Sequence, residues 1–147
     1  MSGFPPIQHL LPHAGPMRLL ESVLAHDANE TRCAVRAGAG GAFRQASGEL
    51  PSWAAIEAMA QCAATDGSLR RGAQGLDLGP ALFLGSRRIT FHAPRIDATA
   101  RLEVSARLAA GRPGGLLAFD CALRDSGGAA LVEGRLNVLP VRREDLA

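Results

Sequence analysis

Residues 51–69 read PSWAAIEAMAQCAATDGSL, and this stretch decides the fold. Pro51 and Ser52 form a helix start signal, with Ser52 in the capping position. From Trp53 to about Leu69 alanine dominates, the residue of highest helix propensity. Its short side chain lets neighbours approach the helix from every side, so such a helix suits enclosure by a curved sheet. Asp66-Gly67 is expected to begin a frayed end.

Working outward, the N-terminal side holds Leu19, Leu20, Val23 and Leu24, then the turn formers Asp27-Ala28-Asn29. Glu30–Arg36 follows with Thr31, Cys33 and Val35 on one face, so 18–27 and 30–36 read as an antiparallel pair. Residues 5–17, punctuated by Pro5, Pro6, Pro12, Gly15 and Pro16, read as a short turn or helix leading into it. On the C-terminal side, residues 72–79 form a Gly-rich loop. Residues 81–92, 100–108, 116–124 and 129–141 then read as strands, with turns at 94–97, 111–115 and 126–128. Leu102, Val104, Ala106 and Leu108 alternate with Arg101, Glu103, Ser105 and Arg107, the pattern of a strand with one wet face. The order is two strands, one long helix and four strands, without βαβα alternation. It predicts an α+β single domain over residues 1–147, one antiparallel sheet wrapped around one helix. Exposed sheet edges and an uncovered face predict a homodimer joined edge to edge.

Composition narrows the class. The chain has 147 residues, 47% hydrophobic and 20% charged, which is ordinary globular usage. All 16 basic residues are arginine, and with abundant Ala and Gly this reads as a GC-rich bacterial coding bias. The arginines are scattered, so no nucleic-acid stripe is indicated. Cys33, Cys62 and Cys121 lack metal or redox spacing and read as small buried side chains in a reducing cytoplasm. No signal peptide is visible, and the longest apolar run falls far short of the roughly 20 residues a membrane span needs. Nucleophile-elbow, phosphate-loop and metalloprotease motifs are absent, as is any metal cluster or nucleotide fingerprint.

Glu57 is the residue that needs a reason, because its helix neighbours are almost all apolar. Trp53 and Gln61 lie four residues to either side on the same stripe. Kept from bulk water, the carboxyl has the raised pKa of a general acid or base near neutrality. Two readings stand: that one, and a carboxylate that reaches solvent or pairs with an arginine such as Arg44. Amide N–H groups at the helix start could hold a substrate oxygen as it gains negative charge, and Gly48 just upstream permits close backbone approach.

Three motifs carry a resemblance. Leu10-Leu-Pro-His13-Ala-Gly15-Pro-Met-Arg18-Leu-Leu20 resembles the opening motif of the 3-hydroxyacyl-ACP dehydratases. Pro51 through Glu57-Ala-Met-Ala-Gln61 resembles their central helix, and Leu82-Phe83-Leu84-Gly85 through Phe91-His92-Ala93-Pro94 the following strand and proline turn. The form is most similar to the dehydratase-like proteins of aryl-polyene pigment clusters. The resemblance implies a hotdog fold, an active site at a dimer interface, and a pantetheine-linked substrate in a tunnel, carried on acyl carrier protein or CoA with no further cofactor. It also implies a helix Glu and a loop His acting across the subunit boundary. Glu57 falls on the family Glu; the family His position is Phe43, in the loop Phe43-Arg-Gln-Ala-Ser-Gly48.

His13, in a rigid segment between Pro12 and Gly15-Pro16, is the replacement that could supply an imidazole titrating near pH 6.5. It also reads as a structural residue that bonds a backbone carbonyl to fix the turn, a reading favoured by the presence of this His in relatives that keep the loop His. His92 reads as a strand-face residue or a tunnel liner, and His9 and His26 as surface residues. Trp53, Gln61, Gly48, Phe83 and Gly85 are the expected substrate contacts, with Glu57 and His13 as the catalytic pair. Arg87, Arg88 and Arg95 read as solvated charges or as attractors for an acidic carrier protein. Three activities follow as expectations: dehydration of a 3-hydroxyacyl thioester, thioester hydrolysis, or service as a partner subunit in a heterodimeric dehydratase.

Overall fold

The computed structural model describes residues 3–11, 15–36, 49–73, 81–97, 100–112 and 115–140. Its elements are β1 (Leu20–His26), β2 (Glu30–Val35), β3 (Glu49–Pro51), α1 (Ala54–Ala73), β4 (Ala81–Phe91), β5 (Arg95–Asp97), β6 (Glu103–Gly111), β7 (Leu117–Arg124) and β8 (Ala130–Pro140). Six strands form one antiparallel sheet in the order β1-β2-β6-β7-β8-β4, and β3 pairs with β5 as a separate ribbon. This is the expected sheet and helix, and the fold is the hotdog.

Period-two patterning fills the inner face. Val132, Leu136 and Val138 are buried on β8 while Glu133 and Arg135 are exposed, and Val104 and Ala106 on β6 are fully buried. Across the core these meet Met59, Cys62 and Ala63 of α1. The helix presses close because its facing residues are small: the Cys62 thiol reaches the carbonyls of Thr31 (3.4 Å) and Val104 (3.6 Å). All three cysteines are buried, and burial pushes the Cys62 and Cys121 thiols up.

Two features depart from expectation. The helix does not fray at Asp66-Gly67 but runs to Ala73. Asp66 is fully buried and ties the helix to the β1–β2 hairpin: it accepts from the Thr31 hydroxyl at 2.7 Å and from Arg70 Nε and Nη2 at 2.7 and 3.0 Å. Arg70 donates onward to the carbonyl of Ala28, in the hairpin turn, at 3.0 Å. A buried charge paired and hydrogen-bonded in this way favours continued helix over the exposed fray that Asp-Gly suggests. His26, expected at the surface, is part-buried in the same cluster, with Nδ1 2.7 Å from the Thr31 hydroxyl. Second, 94–97 is not merely a turn. Arg95–Asp97 forms β5 against β3, and the Ser52 amide donates to the Pro94 carbonyl at 3.3 Å, so this ribbon anchors the helix start.

Among the described residues, no helix is long and apolar enough to cross a membrane.

Candidate functional site

The first turn of α1 carries Glu57, half-buried, and Gln61 sits one turn later with no exposure at all. Gln61 Nε2 donates to Glu57 Oε1 at 3.0 Å and to the Met17 carbonyl at 2.7 Å. Its Oε1 accepts from the Leu19 amide at 2.9 Å. Both donor hydrogens of the amide are thereby used, and the amide's orientation is set by one backbone donor and one backbone acceptor. Gln61 thus clasps the 17–19 segment to the helix beside the carboxylate. Arg36, just beyond the end of β2, grips the same segment from its other side: Nη1 donates to the carbonyls of Gly15 (2.9 Å) and Arg18 (3.0 Å).

That segment begins four residues after His13 in the sequence. His13 itself lies outside the described residues, as do Gly48, Phe43 and Arg44. The structure brings Glu57 and Gln61 together, as their spacing requires, and delivers the chain to their side at Met17. Trp53 precedes α1 and is 55% exposed. Phe83 and Gly85 lie on β4, at the opposite end of the sheet order from β1. Phe83 is half-exposed there, and Gly85 marks a register irregularity.

At the helix start, the amides of Ala55 and Ile56 donate to the carbonyls of Ser52 and Trp53, both at 3.1 Å. Those two donors are engaged within the first turn. Sequence reasoning passed over two residues. Arg36 clamps the strap by its side chain. Arg18 is half-buried with its Nε among the buried donors lacking a hydrogen-bond partner. Only the place of Arg18 inside the opening motif could have signalled it. Of the other groups considered, His92 is exposed on the strand end, 3.6 Å from Glu133, and Arg95 faces Glu49 at 3.5 Å across the ribbon.

The ApeP dehydratase family matches residues 5–146. The chain belongs to the ApeP-like dehydratase family. Among solved structures it is similar to the dehydratase heterocomplex ApeI:P from Xenorhabdus doucetiae, at 28% identity and a TM-score of 0.87, covering 97% of this chain and 95% of that one. AziG from S. sahachiroi shares the fold at 16% identity and a TM-score of 0.61, covering 82% and 90%. A thioesterase from Haemophilus influenzae does so at 14% and 0.57, covering 84% and 78%. No curated protein matches the sequence. Membership in the ApeP-like dehydratase family agrees with the resemblance read from the three motifs.

Proposed function

We propose that this chain is one subunit of a two-chain hotdog dehydratase that removes water from a 3-hydroxyacyl thioester carried on acyl carrier protein in the cytoplasm. The observation that carries the proposal is the Glu57 carboxyl, half-buried and held by Gln61, whose amide also binds the Met17 carbonyl four residues after His13 in the sequence. A base removes the proton from the carbon beside the thioester carbonyl. The electron pair forms the new carbon–carbon double bond, and the C3–oxygen bond breaks as the hydroxyl takes a proton and leaves as water. In this reading Glu57, protonated, serves the departing hydroxyl, and His13 serves the carbon acid. The proton taken by His13 returns to Glu57 through solvent before the next turnover.

Gln61 is assigned a positioning role in place of a substrate contact, since its donors are already committed to the protein. Trp53, Gly48, Phe83 and Gly85 remain the proposed lining, and no cofactor beyond the phosphopantetheine of the carrier is required. A second, different hotdog subunit is favoured over a second copy by two observations. Phe43 stands where the family's loop His is placed, and the similar ApeI:P structure is a heterocomplex.

The test is Glu57→Gln, made in the chain alone and co-expressed with a neighbouring hotdog protein. Enoyl-thioester formation from 3-hydroxyacyl-carrier is followed by absorbance, with free thiol measured alongside. The fold should stay intact and turnover should vanish. Retention of most activity rejects the role of Glu57, and thiol release without dehydration rejects the reaction in favour of hydrolysis.

A further inference from the structure

The outer face of the sheet, turned away from α1, holds a bowl of about 590 Å³. Its floor is made of small residues: Ser105 on β6, Ala122 on β7 and Gly134 on β8. Ser105 and Ala122 face outward by alternation, yet they are only 8% and 6% exposed, because long charged side chains rise around them. Arg124 leans over this floor, its Nη1 donating to Ser105 Oγ at 3.2 Å.

The pairing of the rim charges decides what the bowl can take. Glu30, Asp120 and Glu133 stand on the rim against five arginines, a surplus of two positive charges. Asp120 is held by Arg135 at 2.9 and 3.2 Å. Glu30 lies 3.8 Å from Arg32 and Glu133 lies 3.6 Å from His92, and both of these partners stand outside the lining. Arg87, Arg88, Arg107 and Arg124 have no carboxylate within 4.0 Å among the described residues. These four fall in two groups. Arg87 and Arg88 are neighbours on β4. Arg107 and Arg124, on β6 and β7, flank Ser105: Arg107 is two residues along its strand, and Ser105 pairs with Ala122, two residues before Arg124. β8 runs between the groups with Glu133 and Arg135, so the strands that carry them lie roughly 10–14 Å apart.

Two backbone features put both β4 arginines on this face. A bulge interrupts pairing between Arg87 and Thr90, and Arg88 sits at φ 55°, a conformation that side chains with a Cβ disfavour. Gly134 admits the bulge. A Cβ there would collide with the Ile89 side chain and come within 2.8 Å of Ile89 Cα and 3.2 Å of the Arg88 carbonyl. Strain of this kind, over-determined by its surroundings, gathers at ligand clamps.

We infer that the bowl binds a phosphorylated small molecule whose two phosphate groups are set apart by a neutral middle, as in sugar or nucleoside bisphosphates. Arg87 and Arg88 take one phosphate, and Arg107 and Arg124 take the other; guanidinium forks match phosphate oxygens. Glu133, between the groups, repels an unbroken run of negative charge, so the rim carboxylate selects for separation between the phosphates. The inference is independent of the dehydratase reading. Glu57 lies on α1, across the sheet from the bowl, and binding is measured without turnover.

The probes are fructose 1,6-bisphosphate, adenosine 3′,5′-bisphosphate, fructose 6-phosphate and pyrophosphate, titrated calorimetrically into the full-length protein at about 50 mM salt. One bisphosphate should bind, one per chain, at least about tenfold more tightly than fructose 6-phosphate and pyrophosphate, the factor that a single charge-assisted hydrogen bond supplies. The tighter of the two bisphosphates names the source. Arg88→Asn, which tolerates the left-handed position, and Arg124→Gln should each lower that affinity about tenfold, and Glu133→Gln should raise it about threefold. Arg101→Gln, at an exposed position outside the bowl, should change nothing. Thermal melts check folding, and Arg87→Gln serves if Arg88→Asn fails to fold. The inference is overturned if neither bisphosphate outbinds the monophosphate and pyrophosphate, whatever the variants do. It is equally overturned if Arg101→Gln costs as much as Arg124→Gln, which marks diffuse attraction to a basic protein, or if Glu133→Gln weakens binding.

Discussion

Replacing Gln61 with methionine keeps the volume and removes the clasp, so the cost can be worked from its bonds. Three interactions are lost: the Leu19 amide at 2.9 Å, the Met17 carbonyl at 2.7 Å and the Glu57 carboxylate at 3.0 Å. Leu19 is 2% exposed, so its amide is stranded away from water, a penalty of about 1–3 kcal/mol. Met17 is exposed and its carbonyl can rehydrate, so that bond and the one to Glu57 are each worth only about 0.5–1.5 kcal/mol. Burying an apolar thioether offsets part of this, on the order of 1 kcal/mol. The sum is a destabilisation of about 1–5 kcal/mol, or roughly 3–16 °C in Tm for a chain of this size. Turnover should fall further than stability requires, because Glu57 loses its orienting donor. The assays are a calorimetric or fluorescence melt, and activity measured well below the melting range. A midpoint within about 2 °C of wild type refutes the reasoning, since the Leu19 amide would then have another acceptor. Gln61→Glu adds a pH signature. Its carboxylate would be fully buried and face the Met17 carbonyl, which raises its folded pKa above the unfolded value of about 4.3. Relative to wild type, stability then falls as pH rises from that unfolded value through the folded one, and stays low above it.

Asp66→Ala removes the carboxylate that Thr31 and Arg70 share and leaves Arg70 with its charge half-buried; the expected loss is about 3–5 kcal/mol by denaturant titration. A change under about 1 kcal/mol would mean that the hairpin holds the helix end without it. Asp120 titrates below its ordinary value because the Arg135 guanidinium hydrogen-bonds it, with Arg107 adding to the field. A depressed folded pKa contributes stability above the unfolded value and loses it as pH falls through the folded one. The pair is solvent-exposed, so the contribution stays under about 1 kcal/mol. In Arg135→Gln the Asp120 side-chain carbon titration followed by NMR should move up toward the ordinary carboxylate range, and an unmoved midpoint would dismiss Arg135 as the cause.

The fold was legible because its signals are local. Alternation over 102–108, turn residues at 27–29 and 126–128, and the alanine run after Ser52 each act within a few residues, and each element formed close to its expected place. Asp125 shows how local such chemistry is: its side chain accepts from the amides of Gly127 and Ala129, and its backbone bonds Ala129 and Gly128, all within the β7–β8 turn. The helix end was misjudged because what holds it is not local. Asp66 is saturated by a hydroxyl 35 positions away, and Arg70 by a turn 42 positions away. No helix-breaking tendency of Asp-Gly can be weighed without knowing which strand arrives beside it.

The candidate site divides in the same way. Glu57 and Gln61 were readable as a pair because four residues is one helical turn. That Gln61 would spend both of its hydrogens on Met17 and Glu57 was not readable, since Met17 is 44 positions distant. Nor was Arg36, whose sequence neighbours mark it only as the end of a strand. These distant partners give the arrangement its chemical meaning. A glutamate in an alanine helix is only a carboxylate; one held by an amide that also anchors the neighbouring chain is a carboxylate with a set direction. Direction is what separates an acid that can deliver a proton to one oxygen from one that merely titrates. The clasp therefore links stability to activity at a single buried side chain, and damage to Gln61 should be felt in both.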